Sequence, residues 1–201
     1  MKFLFPIILV LIFCYSCKPK DDCSNRVDKP LKIIVVNSIP YSEGQEVSFV
    51  TNTQGTTYTV VNRIFQILQS DSPMICEEYL EVNLMEKGTN YPFIKFLQRG
   101  YTDTDSVVQF SISPYKNSKY DIIQFVVRDS GVLHSFLFNG ESVFHDTLTV
   151  NNVLYSHVLE LYWNERTDPQ EITRLFYNAE LGIIRFETKD GLIGNRAVTT
   201  F

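Results

Sequence analysis

Residues Glu141 to Trp163 read ESVFHDTLTVNNVLYSHVLELYW. Two runs rich in β-branched and aromatic residues flank Asn151-Asn152, a pair that tolerates the left-handed backbone of a two-residue hairpin turn. Counting outward from that turn sets Val150 opposite Val153 and Asp146 opposite His157. The same grammar extends in both directions. Downstream, Glu171 to Asn178 and Gly182 to Thr188 read as strands, with a last strand after Lys189-Asp190-Gly191. Upstream, Asp121 to Arg128 and Val132 to Phe138 flank Asp129-Ser130-Gly131, and Ser106 to Ser113 alternates before a turn at Pro114. Glu77 to Glu86 and Pro92 to Leu97 flank Lys87-Gly88-Thr89-Asn90, while Glu46 to Thr51 and Thr56 to Val61 flank Asn52-Thr53-Gln54-Gly55. Leu31 to Val36 is an apolar run ending at Asn37. Arg63 to Ser70 is the one candidate for a short helix, because Ile64, Ile67 and Leu68 have helical spacing among β-branched neighbours.

Short connections favour antiparallel neighbours, and roughly ten to twelve strands cannot stay flat. The expectation is an all-β domain: a single curled antiparallel sheet, half-barrel or barrel, with a β-sandwich as the alternative.

The amino terminus carries a different signal. Met1-Lys2 precedes the apolar run Phe3 to Phe13, too short to span a bilayer core as a helix and matched to the core of a signal peptide. With Ser16-Cys17 following, the segment resembles the lipobox of bacterial lipoproteins, although Cys14 and Tyr15 replace its usual leucine and small residue. The resemblance implies cleavage before Cys17 and acylation of that cysteine. Residues 1–16 then form the signal peptide, 17–30 a lipidated tether and 31–201 the β domain. Lys20-Asp21-Asp22 resembles the lysine-plus-acids signals that export some lipoproteins to the cell surface; a solvated linker is the other reading. The expected location is the outer membrane, lipid-anchored, on its periplasmic face or the cell surface.

A mature chain of 185 residues fits one domain, and its side chains carry a net charge of −6. No basic stripe is present that could release counterions from phosphates, which argues against nucleic acid as a partner. Outside the cytoplasm cysteines can pair, and Cys23 with Cys76 is the one internal disulfide available beside Cys17.

Histidines are the first candidates for chemistry. If Asn139-Gly140 is a two-residue turn, His134 faces His145, and the Asn151-Asn152 register then puts His145 and His157 on opposite sides of the sheet. That arrangement gives no three-histidine metal site, and no cofactor is expected. Asp146 and His157 share a face with Leu148, Val150, Val153, Tyr155, Leu159 and Leu161. This reads as core, in which the pair either satisfies its own hydrogen bonds or acts as general base and orienter. Tyr155, Tyr162, Trp163 and Tyr177 either pack the sheet or line a sugar platform or lipid cavity. Asp103-Thr104-Asp105 lacks the glycine and terminal glutamate of a calcium loop and reads as a turn.

The stretch from Asp146-Thr147-Leu148-Thr149-Val150 through Leu175-Phe176-Tyr177 to Gly182-Ile183-Ile184-Arg185-Phe186-Glu187 resembles the carboxyl-terminal meander of many envelope lipoproteins. More distantly it is similar to the curved sheets of the lipoprotein-carrier (LolA/LolB-like) superfamily. That likeness implies a sheet cupping a hydrophobic ligand, and it speaks to fold more than function. The expected role is a non-catalytic binding or interaction module for an apolar ligand or an envelope protein partner. A hydrolase built on Asp146 and His157, and a structural or assembly accessory subunit of an outer-membrane complex, are the alternatives.

Overall fold

The computed structural model describes residues 23, 26–31, 33–37, 39–53, 55–71, 74–86, 92–99, 108–114, 122–127, 133–137, 140–165, 167–169 and 171–197. The segment read as a signal peptide, Cys17, Lys20-Asp21-Asp22 and Asp103-Thr104-Asp105 lie outside them.

One helical turn, α1 (Ile33–Asn37), precedes twelve strands. These are β1 (Glu46–Thr51), β2 (Gly55–Asp71), β3 (Met74–Glu86), β4 (Pro92–Arg99), β5 (Val108–Pro114) and β6 (Ile122–Val127). The remainder are β7 (Leu133–Leu137), β8 (Glu141–Val150), β9 (Val153–Tyr162), β10 (Ile172–Asn178), β11 (Gly182–Thr188) and β12 (Ile193–Arg196). The fold is all-β, and its ladder is antiparallel throughout, in the order β7-β6-β5-β4-β3-β2-β1-β12-β11-β10-β9-β8. It consists of two six-stranded halves joined where β1 pairs β2, one formed by β2–β7 and the other by β1 with β8–β12. Pairing of β1 with β12, as in Val50 opposite Asn195, brings the start and end of the meander together. The ladder is therefore broken elsewhere, between β7 and β8. These edges approach within 8 Å without pairing, so the barrel is not closed.

Two sequence readings left open are settled and one is corrected. The apolar run from Leu31 to Val36 leads into a helical turn from Ile33 to Asn37. Arg63 to Ser70 is strand, part of a long β2 with a bulge between Val61 and Arg63. There the strand period puts Ile64 and Leu68 on one face and Phe65 and Ile67 on the other. Finally, Asn139-Gly140 does not join a paired hairpin. A short connection limits distance and does not oblige pairing, and closure through β1 and β12 leaves β7 and β8 as the two outer edges. His134 therefore does not face His145 in a ladder.

The hairpin at Asn151-Asn152 forms as its residues dictate, with φ of 49° and 64° and Val150 opposite Val153. Its register is interrupted at one place: His157 adopts φ 53°, and the ladder passes from Thr147–Ser156 to His145–Val158 without partnering Asp146 and His157. The local twist splits the face read as a single core. Leu159, Leu161 and Trp163 join the main core, while Val150, Tyr155, Val158, Phe176 and Ile184 form a second cluster.

The main core packs the two halves of the sheet face to face. Phe96 of β4 meets Tyr177 of β10 across the halves with ring centroids 5.9 Å apart, and within one half Phe49 meets Phe186 edge-on at 5.4 Å across β12. Tyr41, arriving from the amino-terminal strap, wedges against Phe96 at 5.6 Å.

That strap is held along its length. Asp28 N and Lys29 N donate to Cys76 O, Glu78 N donates back to Lys29 O, and Asp28 Oδ2 accepts from Cys76 N. Further on, the Arg63 guanidinium donates to the carbonyls of Val36, Ile39 and Tyr41. A disulfide joins Cys23 to Cys76, with Cα atoms 5.5 Å apart and a sequence separation of 53. Cross-linking so long a loop restricts the unfolded chain. Replacing both cysteines by alanine should lower the unfolding free energy by about 3 kcal/mol. Urea unfolding with and without reductant measures this, and a midpoint insensitive to reductant would contradict it.

Candidate functional site

Two regions could hold a ligand: the space between the sheet halves and the outward face of β8–β11. Among the described residues, the space between β3–β4 and β9–β11 is occupied by the chain's own side chains, with Tyr41, Phe49, Phe96, Tyr177 and Phe186 all nearly inaccessible. It is not wholly apolar either. Gln98, 1% exposed, lies opposite core residue Leu80 in the β3–β4 ladder, and Arg196 lies opposite Phe49. Gln98 Oε1 and Arg196 Nη1 are buried without a hydrogen-bond partner among the described residues. An apolar cargo would have to displace packed aromatic rings and sit beside these polar atoms.

On the outward face, Glu160 of β9 is 2% exposed although it stands on the side of the sheet away from the main core. Its carboxylate receives the Nε2–H of His145 across the β8–β9 ladder at 2.6 Å, and the Nε–H of Arg174 from β10. Arg174 Nη2 also donates to Tyr162 Oη at 3.2 Å, and its Nη1 lies 3.7 Å from Glu187 on β11. Arg185 Nε closes the row by donating to Glu187 at 2.8 Å. Both guanidiniums lie over the Phe176 ring, at 4.9 Å for Arg174 and 5.6 Å for Arg185, within cation–π range. Burial pushes the Glu160 carboxyl pKa up, but hydrogen bonds from Tyr162, His145 and Arg174 together with the Arg174 charge outweigh it, leaving the pKa lowered. Tyr162 is shifted up, first by burial and then by Glu160.

The residues singled out from sequence are dispersed. Asp146 and His157 are exposed, and no hydrogen bond or ion pair joins them; His157 instead stacks on Phe144 at 6.3 Å. The reading of a buried pair in an apolar sheet is thus overturned, because the left-handed backbone at His157 turns that segment outward. Trp163 and Tyr177 are core, Tyr155 belongs to the second cluster and Tyr162 to the Glu160 network. No group of three His, Cys, Asp or Glu among the described residues is arranged to hold a metal. The sequence reading missed Glu160 as the centre of a network. Its link to His145 was legible, since the register from Asn151-Asn152 makes the two diagonal neighbours on one face. Arg174 was not, because residues 163–171 connect β9 to β10 without a turn type that fixes register. No protein family, curated protein or solved structure matches the chain.

Proposed function

We propose that the chain is a lipid-anchored envelope protein, attached through Cys17, that acts without catalysis by docking a partner protein on the outward face of β8–β11. The observation that supports this reading is the contrast between the two faces of the sheet. Where side chains are described, the space between β3–β4 and β9–β11 is packed by the chain itself, which supports a partner protein over an apolar cargo. The outward face offers Tyr162, Arg174 and Arg185 over Phe176, held in place by Glu160 and Glu187. Tyrosine and arginine are the residue types that dominate protein interfaces, and a network that fixes their geometry reduces the ordering entropy of docking. Asp146 and His157, separated and exposed, offer no base-and-orienter pair for hydrolysis.

The test uses the acylated protein purified from its own envelope. Organic extraction followed by mass spectrometry should yield the anchor's acyl chains and no stoichiometric apolar molecule. A photocrosslinking side chain at position 162 should give a discrete protein adduct that Arg185→Glu abolishes, whereas one at position 50 should give none. A one-to-one apolar molecule in the extract, or no discrete adduct from position 162, would overturn the reading.

A further inference from the structure

The strand directions place the turns after Asp71, Val150 and Asn178 at one end of the sheet, and the turns after Thr51 and Thr188 at the other. Exposed large hydrophobic side chains are divided unequally between these ends. Ile64, Phe65, Ile67 and Leu68 stand on β2 as it runs down to the Asp71 turn, with Val27 and Ile33 on the strap beside it. Leu154 near the start of β9 and Leu181 in the turn before β11 lie at the same end. Of the ten exposed large hydrophobics among the described residues, only Val50 and Val143 belong to the other end, so the described exposed apolar side chains concentrate at one end. Phe65 is 58% exposed and Ile33 77%.

The tether leaves from this same end. Cys23 is bonded to Cys76, which lies opposite Gln69 in the β2–β3 ladder, one register step from Leu68 opposite Glu77. Six residue steps separate Cys17 from Cys23, so even a fully extended chain keeps the two Cα atoms within about 20 Å. The disulfide therefore fixes the anchor point on the apolar end of the domain.

We infer that this end is seated on the bilayer that holds the acyl anchor, with β2 around Phe65 and Ile67 contacting the lipid surface. The inference rests on the Cys17 anchor of the proposed function. It adds a second, weaker membrane contact to the acyl chains, and it fixes which way the domain faces. Attraction to lipid charge is not the driving force: the mature chain is net acidic, and Glu77 and Glu81 lie opposite Leu68 and Ile64. Burial of apolar side chains at the headgroup boundary is, and it is insensitive to salt.

The experiment uses the full acylated chain, its acyl mass on Cys17 read by mass spectrometry, reconstituted into phosphatidylcholine vesicles with or without brominated acyl chains. Trp163 is the sole native tryptophan and is buried, so it supplies a constant background. Emission added by Phe65→Trp and by Ile67→Trp should fall about twofold in brominated vesicles, equally at low and high salt, with that from Val50→Trp and Val143→Trp unchanged. Near-ultraviolet circular dichroism matching the parent verifies that each variant folds. If the acylated Phe65→Trp protein is quenched no more than Val50→Trp, or if its β2 residues are instead buried in a dimer of the chain, the inference is overturned. Absence of the acyl mass on Cys17 overturns the anchor reading and this inference with it.

Discussion

Replacing Tyr41 by alanine is expected to lower the unfolding free energy by about 5 kcal/mol, the top of the range for truncating a buried aromatic residue. Tyr41 is 1% exposed, packs against Phe96, and accepts the Ile183 N–H at 2.7 Å on its hydroxyl. Its backbone carbonyl holds Arg63. Truncation therefore opens a cavity, leaves a buried backbone donor unpaired and loosens the strap from the sheet. Tyr41→Phe separates the first term from the second, and should lose about 1–2 kcal/mol for the unpaired Ile183 N–H alone. Gly182 completes the fit from the other side. At φ 80° a side chain is strained, and a Cβ there would overlap the Tyr41 hydroxyl, so Gly182→Ala should lose about 3 kcal/mol. Burial pushes the Tyr41 hydroxyl up to about 12 despite the Ile183 hydrogen bond. A raised folded pKa means its contribution is intact below the ordinary tyrosine value of 10.0 and disappears as pH rises toward 12. Urea unfolding followed by Trp163 fluorescence measures all of these losses. A Tyr41→Ala variant within 1 kcal/mol of the parent would show that the strap is not part of the folding unit.

The strand pattern was legible because it is written locally. Glu46–Thr51, Glu141–Val150 and Gly182–Thr188 were readable to the residue, since each is a β-branched or aromatic run closed by Asn, Gly or Asp turns. Arg63 to Ser70 stayed ambiguous because Ile64, Ile67 and Leu68 fit a helix and a strand about equally over so short a window. What overrode that spacing was hairpin pairing with the next strand, with β3 supplying partners from Ile64–Glu81 to Asp71–Met74. The seam between β7 and β8 was not legible for a related reason. Pairing β1 with β12 depends on contacts such as Val50–Asn195 across most of the chain, and no turn residue encodes that closure.

The candidate site divides along the same line. One hairpin turn fixes the diagonal between His145 and Glu160, whereas Asp146 and His157 failed as a pair because the left-handed residue at position 157 breaks a count that is correct on both sides of it. Histidine is among the residues enriched in this backbone, but the conformation is uncommon even for it, so nothing in the sequence singled out position 157. Gln98 and Arg196 were invisible in the same way: each sits in a strand whose neighbours decide which face is inside.

Replacing Arg174 by methionine is expected to cost about 4 kcal/mol at neutral pH, because it removes one cation from a carboxylate that is almost fully enclosed. The methionine keeps much of the aliphatic packing over Phe176, so the loss measures chiefly the charge left behind on Glu160. The pH dependence distinguishes this from a simple packing defect. In the parent, Glu160 has a folded pKa below its ordinary value; its contribution is present above the ordinary carboxylate range and is lost as pH falls through the depressed value. In Arg174→Met the guanidinium's hydrogen bond and charge no longer hold the pKa down, so the folded pKa rises relative to the parent, and acid relieves more of the unfavourable charge in the variant. The gap between the two proteins should therefore be widest near neutrality and shrink as pH falls below the carboxylate range of roughly 4. Adding Glu160→Gln to Arg174→Met should recover part of the loss at neutral pH and flatten the pH dependence, because the double variant has no buried charge to neutralise. Urea midpoints for the parent and the two variants across this pH range carry the test. A gap that stays constant with pH, or that Glu160→Gln fails to narrow, would mean that Arg174 acts through its contacts with Phe176 and Tyr162 and that Glu160 is not held by charge.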